Sequence, residues 1–92
     1  MPQPETLVQA FKLSLKEGLP IESYFYQDSC NGKIYICSGE SEKIIYKNNE
    51  EHTSKINNIY KSGNSYLVVT ENTIYIISAN CKVAKMPKDI EA

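Results

Sequence analysis

The side chains with the widest chemical repertoire in this chain are Cys30, Cys37, Cys81 and a single histidine, His52. Together they are enough ligands for a tetrahedral Cys₃His zinc site. Their spacing argues against one, because no C-x-x-C pair occurs and the four residues would have to converge from separate elements. They read instead as reduced thiols, with Cys37 packing inside a strand as a small hydrophobe. No metal or other cofactor is expected. A disulfide framework is not expected either, since Met1-Pro2-Gln3-Pro4 has no basic region leading into an apolar core. The expected location is a reducing compartment such as the cytoplasm, or a particle assembled there.

Catalytic constellations are missing from the string. Glu50 and Glu51 are neighbours, so in extended chain they point apart and do not form the facing pair of a glycoside hydrolase. His52 sits in a polar stretch, and no Ser or Cys lies in a nucleophile elbow. Neither a glycine-rich phosphate loop nor a dinucleotide fingerprint is present. With every role in an active site unfilled, the chain is expected not to be an enzyme.

Binding chemistry is better represented. Lys33, Tyr35, Lys43, Tyr46, Lys47, Tyr60 and Lys61 interleave cations with aromatic rings, a pattern that small barrels use to hold single-stranded nucleic acid. The ten basic residues are all Lys, with no Arg for bidentate recognition, and the net charge is −1. Glu22, Glu40, Glu42, Glu50 and Glu51 dilute any positive field, so a small nucleic-acid-binding β-barrel protein is the second expectation. The first is contact with other proteins, including copies of itself. The chain has seven Tyr and no Trp, and tyrosine suits interfaces because an apolar ring carries a polar tip. Tyr24, Tyr26, Tyr35, Tyr66 and Tyr75 are the candidate interaction surface, with strand addition at a sheet edge as a further mode. No membrane contact is expected: no apolar run approaches the ~20 residues of a span, and the one amphipathic helix has only Lys12 and Lys16 as cations.

These residues must be positioned by a single domain over residues 1–92. A helix is predicted at about 4–17: Pro4 suits the first helical position, Gly18 the left-handed C′ position, and Pro20 follows. Leu7, Phe11 and Leu15, with Val8 beside them, form the stripe expected to lie on a sheet. A β meander is predicted at about 21–78. Its first strand is Ile21 to Asp28, turned by Asn31-Gly32 into a second from Lys33 to Ser38, so that Tyr26 faces Cys37 and Asp28 faces Tyr35. In that register Phe25, Ile34 and Ile36 cluster on the core side, and Tyr24, Tyr26 and Tyr35 share the more exposed face. A strand at 43–47 and a polar surface loop at 48–54 follow, then a strand at 56–61 and a turn at Ser62-Gly63-Asn64. The turn is compatible with two- or three-residue loops that put Ile59 on opposite faces. Two runs, 65–70 and 73–78, form a closing hairpin in which Val69 faces Ile74 and Leu67 faces Ile76. Tyr66, Val68, Tyr75 and Ile77 line its reverse side, so both of its faces require cover. Residues 79–92 read as a C-terminal tail in which Val83 could add an edge strand. The architecture expected is α+β: an N-terminal helix packed on a small rolled antiparallel sheet or barrel of about six strands.

The pieces Lys47-Asn48…Glu51…Thr53-Ser54-x-Ile56 and Val68-Val69-Thr70-Glu71-Asn72-x-Ile74-Tyr75 look like small proteins of large DNA viruses of algae and amoebae (phycodnavirus- and mimivirus-like). The likeness covers roughly the second half of the chain. It implies a viral origin and a place in the virion, such as a minor capsid protein. It transfers no activity and no site residue. The functional expectation is a non-enzymatic structural or protein-interaction protein.

Overall fold

The computed structural model of the protein describes residues 2–87. The fold is α+β, an N-terminal helix on two stacked mixed sheets. Helix α1 runs Pro4–Glu17 and ends at Gly18, whose φ of 68° places it in the left-handed region as its N–H donates to the Ser14 carbonyl at 2.8 Å. Strand β1, Ile21–Glu22, runs parallel to β6, Ile74–Ser78. Strand β5, Ser65–Thr70, separates β6 from β4, Ile56–Ser62, so the first sheet has the order β1-β6-β5-β4. The second sheet has β2, Tyr35–Ser38, in its centre, antiparallel to β3, Lys43–Tyr46, and parallel to β7, Lys82–Lys85.

The β5–β6 hairpin has the expected register: Val69 opposes Ile74 and Leu67 opposes Ile76. Those four side chains are buried under α1, together with Ala10. Val68 and Ile77 point the other way and pack against Ile36 and Ile45 of the second sheet and Ile34 just before it, with Phe25, Ile56 and Cys81 closing the layer. The turn between β4 and β5 has two residues, Gly63 and Asn64, since Ser62 opposes Ser65. Gly63 has a φ of 59°, in the left-handed region that favours glycine, and lies against the flexible end of the Gln3 side chain. One residue of β4, Asn57, is bulged out between Ile56 and Asn58, which keeps Ile56 and Ile59 on the side facing the second sheet.

Four expectations are corrected. Residues 21–28 are not one strand: after β1 the chain forms a short helix, α2, Tyr26–Cys30. Ser29 explains the departure. It is buried, its hydroxyl donates to the Tyr26 carbonyl (2.6 Å), and it accepts the Ser78 N–H (2.8 Å), which pins a helical turn to the end of β6. Asn31-Gly32 then ends that helix instead of turning a hairpin. Gly32 has a φ of 70° while Asn31 stays at −94°, and a type I′ turn needs both positive. Tyr26 therefore does not face Cys37, nor Asp28 Tyr35; the partners of Tyr35 are Tyr46 and Lys82. The tail does carry the edge strand expected at Val83: β7 lies beside β2, and Met86 is buried against Cys37 and Ile44; residues 88–92 lie outside the described part. Among the described residues the seven strands do not close into a barrel but divide between two sheets with two parallel pairings. Finally, α1 rests on its other face. Thr6 and Ala10 are fully buried and Leu7 and Leu13 partly so, whereas Phe11 is 61% and Leu15 86% exposed. Small residues let the helix backbone approach the sheet, and the Thr6 hydroxyl donates to the Ser62 carbonyl at 3.0 Å.

Replacing Ile76, buried between α1 and the sheet, with Ala is expected to lower the unfolding free energy by about 2–5 kcal/mol in urea titrations. Leu15→Ser on the outer face of the same helix should stay within about 0.5 kcal/mol of the parent. A comparable loss in both variants would mean that the helix is seated the other way round.

Candidate functional site

Four of the five candidate tyrosines are distributed over three packing environments, and the fifth is exposed. Tyr66 and Tyr75 are half-buried at the margin of the layer between the sheets, and the Phe25 ring lies 5.7 Å from that of Tyr75. Tyr26 is half-buried beneath α1, and burial is the main cause that raises its hydroxyl pKa. Tyr35 is half-buried on the outer face of the second sheet, beside Cys37, Ile44 and Met86. Tyr24 is the exposed member, 57% accessible, and stands edge-on to Phe25.

Tyr24 belongs to a small polar cluster that joins the β1–α2 connection to the end of β3. Its hydroxyl donates to the Glu51 carboxylate at 3.0 Å, and that hydrogen bond is the leading cause that holds its pKa above the ordinary phenol value. Lys47 Nζ lies 3.0 Å from the Asp28 carboxylate and 5.9 Å from the centre of the Tyr24 ring. Its pKa is raised, chiefly by the bond to Asp28. The loop that follows is ordered by Asn48, whose side-chain oxygen accepts the Glu50 and Glu51 N–H groups at 2.8 Å each. Beyond it the Thr53 hydroxyl accepts the Ile45 N–H at 3.0 Å, and the His52 ring stacks on Tyr46. These partners pair with one another across the β1–α2 connection and the end of β3.

The thiols are similarly dispersed. Cys37 and Cys81 are buried and Cys30 is exposed. Among the described residues no group of three His, Cys, Asp or Glu is placed to hold a metal ion. Burial raises the Cys37 thiol pKa, and for Cys81 burial, as the largest cause, pushes it up to about 11.

Two features of α1 stand apart from this internally satisfied chemistry. On its outer side Val8, Phe11 and Leu15 form an apolar stripe with exposures of 49%, 61% and 86%. On its flank the helix and β4 enclose an open cleft of about 500 Å³. Leu13 and Leu67 floor it, Tyr60 stands on the strand side, and Lys12, Lys16 and Lys61 lie around it with Glu5. Tyr60 opposes Leu67 in the β4–β5 register and so lies on the α1 side of the sheet, 44% exposed. The cleft gathers Tyr60 and Lys61 of the cation–aromatic pattern with the helix cations Lys12 and Lys16, a grouping the string does not announce, and Val8, Phe11 and Leu15 belong to the stripe expected to lie on the sheet. The missed signal is that α1 carries two apolar rows, Leu7-Ala10-Leu13 and Val8-Phe11-Leu15, of which only one can rest on the sheet.

Native protein should react rapidly with a thiol reagent at one position, Cys30, and release Cys37 and Cys81 only on unfolding. The raised Cys81 pKa also sets a pH dependence. The folded chain holds this proton more tightly than the unfolded chain, whose thiol titrates near 9.0, so stability falls as pH rises from about 9 to about 11. The loss, on the order of 2 kcal/mol, should disappear from the pH profile of Cys81→Ala measured against the parent.

No protein-family model, no curated protein and no solved structure matches the chain.

Proposed function

We propose that this chain is a non-enzymatic structural or interaction protein that seats helix α1 in an apolar groove of a different protein. The carrying observation is the outward stripe of Val8, Phe11 and Leu15 on a helix whose opposite side is already anchored by Thr6 and Ala10. The spacing i, i+3, i+7 is that of anchor residues in helix-in-groove recognition. Size favours a groove over a second copy of the chain. A stripe of three side chains falls well short of the ~800 Å² per partner of a stable flat contact. A groove that wraps the helix makes up the difference from its flanks. In the setting that the sequence resemblance implies, the partner is another protein of a virus particle and the chain a minor capsid component.

A nucleic-acid-binding barrel has weaker support. The strands do not close, Lys47 is paired with Asp28, and Tyr35 and Tyr46 are half-buried on the second sheet while Tyr60 and Lys61 lie on the first.

The test is co-sedimentation with purified particle proteins, with a photo-crosslinking side chain placed at position 11. The expected result is an adduct between α1 and a different chain, and loss of the complex in Phe11→Ser/Leu15→Ser while the melting curve is retained. A complex unaffected by the double substitution would overturn the proposal. So would crosslinks solely between copies of this chain.

A further inference from the structure

We infer that the cleft between α1 and β4 binds a small ligand that joins a planar ring to an anionic group, with a nucleoside monophosphate as the simplest case. The inference does not depend on the outer stripe of α1. The cleft's volume of about 500 Å³ lies within the ~300–1,000 Å³ of small-molecule sites. Its composition also has the usual form, an apolar floor of Leu13 and Leu67 with a few polar groups around it.

Charge selects the anion. The whole chain has a net charge of −1, yet Lys12 and Lys16 stand one helical turn apart on the cleft flank of α1. Neither forms an ion pair with a described residue; the cation that does is Lys47, with Asp28. Two neighbouring unpaired ammonium groups repel each other, and a bound anion turns that repulsion into attraction. Tyr60 supplies the ring contact. It is 44% exposed on the α1 side of β4 and lines the cleft, which puts an aromatic ring within reach of a planar ligand. Glu5 gives the cleft a direction. At 1.5 Å per residue it lies about 10 Å along the helix axis from Lys12, at the opposite end. A ligand with hydrogen-bond donors on its ring and a phosphate at its far end matches that polarity: exocyclic amine toward Glu5, phosphate toward Lys12 and Lys16.

The experiment is an amide NMR titration with adenosine monophosphate, adenosine and inorganic phosphate, on the parent chain, Lys12→Gln/Lys16→Gln and Tyr60→Leu. All three substituted side chains are exposed, and thermal melts verify that the variants fold. The expected result is saturable shifts around Leu13 and Leu67 with the monophosphate, and at least about tenfold weaker binding in each variant. Adenosine and inorganic phosphate alone should each bind the parent at least about tenfold more weakly. Absence of saturable shifts up to about 10 mM would overturn the inference. So would shifts that map outside the cleft, variants that bind as the parent does, or inorganic phosphate binding as tightly as the nucleotide.

Discussion

The two-sided aliphatic character of the β5–β6 hairpin is the constraint on which the rest of this fold depends. In most antiparallel sheets one face meets water, and alternation leaves it polar. Here Leu67, Val69, Ile74 and Ile76 occupy one face and Val68 and Ile77 the other, all buried. Each such side chain favours burial by roughly 1.5–3 kcal/mol, in a domain whose total stability is on the order of 5–15 kcal/mol. Neither face can be left bare. Helix α1 covers the first and the second sheet covers the other, so the layer order helix, sheet, sheet follows from the hairpin.

Connectivity locks those layers together. The chain enters the first sheet at β1, crosses to the second for β2 and β3, returns for β4 to β6, and crosses again for β7. The parallel pairings β1–β6 and β2–β7 close around everything between them. Neither sheet is complete until distant segments meet, so folding must pass through non-local pairing, the slow and cooperative route. The polar pins hold these same crossings. Ser29 secures α2 to the end of β6, the Ile74 N–H donates to the Pro20 carbonyl at 2.9 Å where β1 begins, and the Met86 N–H donates to Ser38 at 2.9 Å where β7 ends.

Local chemistry was legible where one rule dominated. The helix limits followed from Pro4 and Gly18, and the hairpin register from strict alternation. Where two local rules competed, tertiary context decided. Asn31-Gly32 serves a hairpin or a helix end equally well, and the buried Ser29 hydroxyl two residues before Asn31 selects the helix end. Val83 marks Lys82–Lys85 as a candidate edge strand, and the open edge of β2 supplies the backbone partners that make it one. The five tyrosines looked alike in the string, yet packing separates them into an exposed Tyr24 and four half-buried rings in three environments. No rule of spacing reports that division, since it depends on which sheet each strand joins.

Helix α1 shows how one packing choice produces both surface features. A helix settles where its backbone comes closest to the sheet, and side-chain bulk opposes approach. The row containing Thr6 and Ala10 therefore faces inward, and the bulkier Val8, Phe11 and Leu15 remain outside. Contact is tightest near the start of the helix, where Gln3 lies against Gly63 and Thr6 reaches Ser62. Further along, the larger Leu13 comes between helix and sheet, and β4 extends beneath it with Tyr60. The cleft lies there, between the helix and the strand. Stripe and cleft thus both depend on how the small residues seat α1. A larger residue at position 10 would disturb both at once, whereas changes at positions 11 and 15 or at 12 and 16 act on one and leave the other in place.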